Sequence, residues 1–167
     1  MYFCVLFSRR AENNAPTVEI DNQRYTGFHP YKIDPKFRVS IQASWRHEPG
    51  EAFYLLIAKD LGFPLVRVLT KAAYQHKVDT INNSDKTPAE KNRLLAKLAL
   101  FSRQATVNEQ GKLLVPKDLS EQAGISPDSE VVMAGRGMAF EIWSRPIFDE
   151  YFEKLTAEDA EDDLGIF

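Results

Sequence analysis

Alternating apolar and polar residues mark the first regular stretch of the chain. Between residues 32 and 42 the apolar positions are Ile33, Phe37, Val39 and Ile41. A period of two is typical of a strand with one buried face, and the Asp-Pro dipeptide at residues 34–35 is typical of a turn. The pattern therefore predicts a turn that leads directly into a strand.

The same arrangement returns 74 residues later. Residues 33–41 align with residues 107–115, and residues 66–69 align with residues 140–143. An amphipathic stretch follows each of the latter segments, with apolar residues at Ala73, Tyr74, Val78 and Ile81 and at Ile147, Phe148, Phe152 and Leu155. Three matching elements in one order at one spacing indicate an internal duplication. Each half predicts a turn and strand, a short helix, two strands and an amphipathic helix.

Turn and cap residues set the boundaries of these elements. Pro116 predicts the first position of a short helix, which Gly124 ends. The sequence Gly-Arg-Gly at residues 135–137 predicts a tight connection between two strands. Between the halves, Thr-Pro-Ala-Glu at residues 87–90 has the spacing of a capping box and predicts the start of a connecting helix.

Five segments follow from these signals. We expect an irregular N-terminal extension over residues 1–24, a first repeat over 25–83 and a connecting helix over 84–103. A second repeat follows over 104–156, and an acidic tail over 157–167. The extension is polar after its first residues and has no sustained period, which is why no element is predicted there.

The charges are distributed unevenly along the chain. The formal net charge is −3, but residues 146–167 carry eight acids against one base, so the rest of the chain sums to +4. Residues 24–47 alone sum to +4 without any histidine charge. A basic surface that attracts polyanions is compatible with this distribution. A solvated surface with a solubilising tail is the simpler alternative.

The sequence contains no catalytic or metal-binding constellation. A Gly-rich phosphate loop and a nucleophile elbow are absent, Cys4 is the only cysteine, and His29, His47 and His76 lack ligand spacing. No apolar run approaches the ~20 residues of a membrane helix, and the order of apolar and basic residues at the start is not that of a secretory signal. We therefore expect a cytoplasmic protein that is not an enzyme and uses no cofactor, metal or small-molecule substrate.

The duplicated turn is the candidate functional site. Its residues are Asp34, Lys36 and Arg38 in the first copy and Asn108, Gln110, Gly111 and Lys112 in the second. An Asp or Asn side chain that opens a turn accepts hydrogen bonds from amides two or three residues on, and the base after the turn begins the next strand. Paired cations on a rigid scaffold suit phosphates and base edges. An ordinary surface turn with an exposed base is the alternative.

At these residues the sequence resembles the MraZ family of the SpoVT–AbrB superfamily. The match is strongest over residues 108–143, through Gln-Gly-Lys-Leu-Leu-Val-Pro at 110–116 and Phe-Glu-Ile-Trp at 140–143, with Gly-x-Gly upstream of the latter. The first half matches more weakly, through Gly-Phe-His at 27–29 and the Asp-x-Lys-x-Arg of its turn. The resemblance covers roughly residues 25–155.

The resemblance implies an α+β fold in which two AbrB-like half-domains interleave into a swapped-hairpin β-barrel with flanking helices. It implies ring-like homo-oligomers and a nucleoid-associated transcriptional regulator. Such a regulator binds short direct repeats in the promoter of a division and cell-wall gene cluster through its Asp-x-x-x-Arg turns. DNA and further copies of the chain are the partners on this pattern, and all seven turn residues named above are DNA-binding residues.

Both turns depart from the Asp-x-x-Gly-Arg pattern of the family. Phe37 stands at the glycine position, where a positive φ would strain it, so we expect the first turn to be reshaped. In the second turn Asn108 replaces Asp, and Lys112 keeps the charge of an arginine without the fork that reads guanine. An alternative is an MraZ-like oligomeric scaffold that no longer reads DNA and acts through protein contacts. An AbrB-type antitoxin fits less well, since such proteins usually carry one copy of the motif.

Overall fold

The computed structural model describes residues 24–46, 50–157 and 164–166. Over these residues it is a mixed α+β structure. The strands are β1 (Phe28–Lys32), β2 (Arg38–Ser40), β3 (Ala52–Asp60), β4 (Phe63–Leu69), β5 (Arg103–Thr106), β6 (Lys112–Leu114), β7 (Glu130–Gly135) and β8 (Ala139–Ser144). The α-helices are α1 (Lys71–Asn82), α2 (Pro88–Phe101), α3 (Lys117–Gln122) and α4 (Arg145–Thr156), and a short 3-10 helix spans Ala43–Trp45. The extension expected over 1–24, apart from Arg24, and most of the expected acidic tail lie outside the described residues, as do Cys4 and His47.

The order of the elements repeats within the chain. The first half runs β1, β2, 3-10 helix, β3, β4, α1, and the second half runs β5, β6, α3, β7, β8, α4. β2 and β6 begin 74 residues apart, and so do α1 and α4. Strands β1 and β5, which precede the turns, are absent from the predicted order. β1 contains a proline and β5 is mostly polar, which is typical of edge strands and hides them from an alternation search.

Strands from the two halves intermix in both sheets, although the hairpins β3–β4 and β7–β8 each stay together. A six-stranded antiparallel sheet has the order β1-β7-β8-β4-β3-β5, and β2 and β6 form a separate two-stranded ribbon. Each strand of the first half is paired with a strand of the second: β1 with β7, β2 with β6, β3 with β5 and β4 with β8. β2 and β6 pair with each other and with neither edge strand of the larger sheet, β1 or β5. The described ladders therefore form an open sheet and a separate ribbon, and they do not close into the barrel that the resemblance implies.

Two of these ladders place equivalent residues of the halves opposite each other. Arg67 of β4 pairs with Glu141 of β8, and Val39 of β2 pairs with Leu113 of β6. An approximate twofold axis therefore passes through both pairs. Since every first-half strand depends on a second-half partner for hydrogen bonds, the two halves form one folding unit.

A buried ion cluster lies at this axis. Glu141 is fully buried, and its carboxylate accepts hydrogen bonds from Arg67 Nη2 at 2.9 Å and Trp143 Nε1 at 3.0 Å. Arg136 Nε lies 3.0 Å from the same carboxylate, and its guanidinium also pairs with Asp60. Burial lowers the pKa of Arg136, but the Glu141 and Asp60 carboxylates together outweigh burial and hold that pKa above its ordinary value. A buried carboxylate with this many partners ties β4 to β8 and to the connection that follows β7.

Local cap chemistry explains where the helices begin. Thr87 Oγ1 accepts from the Glu90 amide, and the Glu90 carboxylate accepts from the Thr87 amide, so the predicted capping box is confirmed. Pro116 is the N-cap residue of α3 and not its first helical residue, so the helix begins one residue later than predicted. None of the helices in the described ranges has the length and apolar character needed to cross a membrane.

The main apolar core lies between the ribbon and the sheet. Val39 and Leu113, at the middle of the ribbon, are fully buried within it. Trp45 and Phe140 belong to the same cluster, with ring centroids 5.4 Å apart. The ribbon is therefore fixed by its inner face, which leaves its outer face and the turns before β2 and β6 at the surface.

Candidate nucleic-acid interface

The two turns have the same hydrogen-bond geometry. Asp34 Oδ1 accepts from the backbone amides two and four residues on, both at 2.8 Å, and Asn108 Oδ1 does the same at 3.0 Å. The amide of Phe37 donates to the Asp34 carbonyl at 3.0 Å, and that of Gly111 donates to the Asn108 carbonyl at 2.9 Å. The predicted acceptor role of both side chains is confirmed, with the second bond reaching four residues on rather than three.

The expectation that Phe37 reshapes the first turn is wrong. Phe37 has φ +58° and Gly111 has φ +74°, so both turns use the left-handed region at the same place. The Phe37 side chain is only 9% exposed and joins the main core. A left-handed non-glycine residue costs roughly 1–2 kcal/mol. Burial of a large apolar side chain contributes about 1.5–3 kcal/mol, which offsets that strain.

The ribbon presents its cations on one face. Side chains alternate along a strand, so Val39 and Leu113 face the core while their neighbours in sequence face outward. Arg38 is paired with Leu114, which places Lys112 at the diagonal position on the same outer face. Diagonal neighbours on an antiparallel pair lie about 7–8 Å apart. Since β2 and β6 are antiparallel, the two turns stand at opposite ends of this ribbon.

Arg38 is held in a fixed orientation by the first turn. Its Nε donates to Asp34 Oδ2 at 2.8 Å, and the two side chains are 39% and 22% exposed. The Arg38 backbone amide, then its guanidinium and the Lys36 amide, hold the pKa of Asp34 below its ordinary value against the opposing effect of burial. No acceptor among the described residues bonds the terminal nitrogens of Arg38. The first turn therefore offers a pre-oriented guanidinium to a ligand.

The second turn holds its cation less firmly. Asn108 is neutral and uses its carbonyl oxygen for backbone amides, so it provides no carboxylate to orient Lys112. Within the described parts of the chain the Lys112 ammonium has no ion pair. A lysine in this position is a mobile point charge, which suits a phosphate better than a base edge. Lys36 and Gln110 are exposed and donate backbone amides within the turns.

One cation at the second turn is missing from the sequence-predicted site. Arg46 follows the short 3-10 helix, and its guanidinium lies against Gly111: a Cβ at residue 111 would be 2.6 Å from Arg46 Cζ. In the sequence Arg46 stands out only as one of the bases of residues 24–47. The equivalent residue of the second copy, 74 positions on, is Ser120, so only one copy has an arginine here. This difference between the copies is the sequence signal that could have identified Arg46.

Among the described residues, no three His, Cys, Asp or Glu side chains lie close enough together to hold a metal ion. The interface is thus a cationic ribbon face with two rigid turns. What it can do chemically is attract anions, and through Arg38 it can form two parallel hydrogen bonds to one planar acceptor group.

Comparisons with known proteins point in one direction. The family model described as "MraZ protein, putative antitoxin-like" matches residues 100–164. The "Transcriptional regulator MraZ" of Mycoplasmopsis pulmonis is 31% identical over 77% of this chain and 84% of its own length. The proteins of that name from Heliobacterium modesticaldum and Leuconostoc citreum are 32% and 27% identical, over 79% and 84% of this chain and 89% and 94% of their own lengths.

A solved structure from Pyrococcus horikoshii, titled "The solution structure of PHS018 from pyrococcus horikoshii", is 15% identical and covers 71% of this chain and 87% of its own. Its TM-score is 0.32, which is too low to bear on the fold.

Proposed function

The chain belongs to the MraZ family, and on that premise we propose that it is a transcriptional regulator that binds DNA through the outer face of the β2–β6 ribbon. We place its sites at short direct repeats in the promoter of a division and cell-wall gene cluster. The observation that supports this most directly is the ribbon itself. Two turns with the same pattern of hydrogen bonds to backbone amides bring Arg38 and Lys112 to one outer face.

The dimensions of the ribbon suit a DNA groove. The major groove of B-DNA is about 12 Å wide and admits a two-stranded β-ribbon. On this proposal the Asp34-oriented guanidinium of Arg38 forms two hydrogen bonds to one guanine edge, and Lys112 neutralises a phosphate. The exposed Lys36 and Gln110 side chains add contacts to the DNA backbone that position the ribbon.

We propose that further copies of the chain complete the functional assembly, as a ring-like homo-oligomer. Helix α2 supports this, because none of its residues is fully buried and Leu100 and Phe101 are 74% and 57% exposed. Exposed apolar side chains grouped on one helix are typical of an association surface. The pairing of every first-half strand with a second-half strand supports a swapped-hairpin description of each half as part of the same proposal.

The same helix is the observation that favours a second candidate, a scaffold that acts through protein contacts and does not read DNA sequence. A lysine at residue 112, in place of the arginine of the family pattern, would be neutral for such a scaffold. The regulator and the scaffold differ in one measurable property, namely the preference for operator over unrelated DNA.

The test is a titration of fluorescent duplexes at two salt concentrations. One duplex contains the direct repeats upstream of the protein's own gene, and the other is its scrambled version. Arg38→Ala should lower operator affinity and reduce the operator preference, since a bidentate contact contributes about 1–3 kcal/mol of base discrimination. Lys112→Ala should weaken both duplexes about equally and reduce the salt slope by about one unit per bound subunit.

Arg145→Ala is the matched control, because it removes one surface arginine from α4, where it pairs with Asp149, and leaves both the ribbon and α2 intact. It should retain the wild-type operator preference. Equal binding of both duplexes by the wild-type protein at each salt concentration would exclude the regulator and leave the scaffold.

A further inference from the structure

The second turn is contacted by an arginine from outside the turn, Arg46. A Cβ at residue 111 would lie 2.6 Å from Cζ, 2.7 Å from Nε and 3.0 Å from Nη1 of Arg46. These distances place the flat guanidinium directly over the glycine of the turn. Only a residue without a side chain permits this approach. Gly111 therefore has two roles: it adopts the left-handed φ of the turn, and it leaves the space that the Arg46 guanidinium occupies.

The backbone of Ile41, directly after β2, fixes the direction of this side chain. Ile41 donates its amide to the Gly111 carbonyl at 3.0 Å and accepts from Arg46 Nε at 2.9 Å. One residue therefore joins the turn and the guanidinium. In the first turn, Nε of Arg38 is fixed in the same way by Asp34 at 2.8 Å. In both cases the Nε edge is bonded to the protein and the terminal nitrogens remain for a ligand.

The charge at the second turn is not neutralised within the described residues. Asn108 stands where the first turn has a carboxylate, and no described Asp or Glu forms an ion pair with Arg46. Arg46 is exposed, whereas a guanidinium with a purely internal role would be expected to be covered. The guanidinium of Arg24 donates to the Arg46 carbonyl at 3.1 Å, which adds positive charge beside it.

The two copies exchange large and small residues at this place. The first turn has Phe37 where the second has Gly111, and Phe37 borders a surface hollow lined by α3 residues Lys117 and Glu121. The counterpart of Arg46 in that region is Ser120, a small and fully buried residue. The large Phe37 of the first turn is thus matched by the small Ser120, and Gly111 of the second turn is matched by the large Arg46. This complementarity indicates that Arg46 and the second turn form one structural unit.

We propose that Arg46 is the base-reading arginine of the second turn and supplies there the planar fork that Lys112 lacks. This inference rests on the proposed DNA-binding function of the ribbon. It gives the interface two oriented guanidinium groups, one at each turn, with Lys112 as the phosphate contact between them. Arg46 belongs to the first half of the chain and Gly111 to the second, so the second reading position depends on the interleaving of the halves.

The deciding variant is Arg46→Lys, which keeps the charge and the aliphatic stem and loses the fork. Operator and scrambled duplexes are titrated with the wild-type protein, Arg46→Lys, Arg46→Gln and Arg38→Ala, and thermal unfolding is recorded in parallel. Both Arg46 variants should lower the operator preference by about fivefold or more. In single-base substitutions of the operator, Arg46→Lys should relax discrimination at a base pair other than the one relaxed by Arg38→Ala.

Each outcome has one meaning. If the wild-type protein and Arg38→Ala behave as proposed but Arg46→Lys keeps the full operator preference, Arg46 reads no base and the DNA-binding proposal stands. If Arg46→Gln loses affinity for both duplexes equally and Arg46→Lys restores it, Arg46 contacts a phosphate and the inference is overturned. If the wild-type protein has no operator preference, the DNA-binding proposal fails and this inference fails with it.

Discussion

Removal of the Glu141 carboxylate should destabilise the whole fold. Glu141 lies on the approximate twofold axis, is fully buried, and interacts with Arg67, Arg136 and Trp143 at 2.9–3.0 Å. Glu141→Ala leaves two guanidinium groups without their shared counter-ion and an indole N–H without its acceptor. Loss of one partner of a buried ion pair typically costs about 3–5 kcal/mol.

The exposure of the partners sets the expected value within that range. The side chains of Arg67 and Arg136 are 26% and 36% exposed, so both can turn partly toward water once the carboxylate is gone. We therefore expect about 3 kcal/mol. In a domain of this size 1 kcal/mol corresponds to roughly 2–4 °C, so the melting temperature should fall by about 6–12 °C. Arg67→Ala should cost less, since Glu141 keeps Arg136 and Trp143.

Urea unfolding of the wild-type protein, Glu141→Ala and Arg67→Ala measures these differences. Arg145→Ala is the control, because Arg145 pairs with Asp149 at the surface with side chains 41% and 60% exposed. Such an exposed pair contributes about 0.3–0.5 kcal/mol. A loss for Glu141→Ala no larger than that of the control would refute the view that this cluster joins the two halves.

Three further predictions concern the turns and the interleaved halves. Phe37→Gly should destabilise the protein by about 1–4 kcal/mol in urea unfolding, since the lost packing of a phenylalanine, about 3–5 kcal/mol, exceeds the relieved backbone strain of ~1–2 kcal/mol; unchanged or increased stability would contradict this. The pKa of Asp34 is lowered by folding, so its contribution is present above the ordinary value of 3.8 and is lost as the pH falls through the folded pKa. NMR at falling pH should therefore show changes below about pH 4 in the amides bound by Asp34 but not in those bound by Asn108, and equal changes in both turns would exclude this cause. A fragment of residues 25–83 should be unfolded or aggregated, because each of its strands lacks a second-half partner; a cooperative thermal transition in circular dichroism would disprove this.

Much of the local structure follows from the sequence alone. The capping box at Thr87, the strands after each turn and the amphipathic helices rest on short-range patterns, and the structure has them close to the predicted positions. The duplication was visible because both copies kept their apolar positions at one spacing. Local hydrogen bonding also determines the turn geometry, since Asp34 and Asn108 act on amides within four residues.

The tertiary structure decided everything that depends on residues distant in sequence. Phe37 keeps a positive φ because the core accepts its side chain, an energy that no turn statistic contains. Arg46 reaches the second turn because antiparallel pairing of β2 with β6 brings Ile41 beside Gly111. The pairing of Arg67 with Glu141 likewise depends on register. A sequence specifies such contacts only through the free energy of the whole packed chain, whereas caps, turns and periodicity are specified by neighbouring residues.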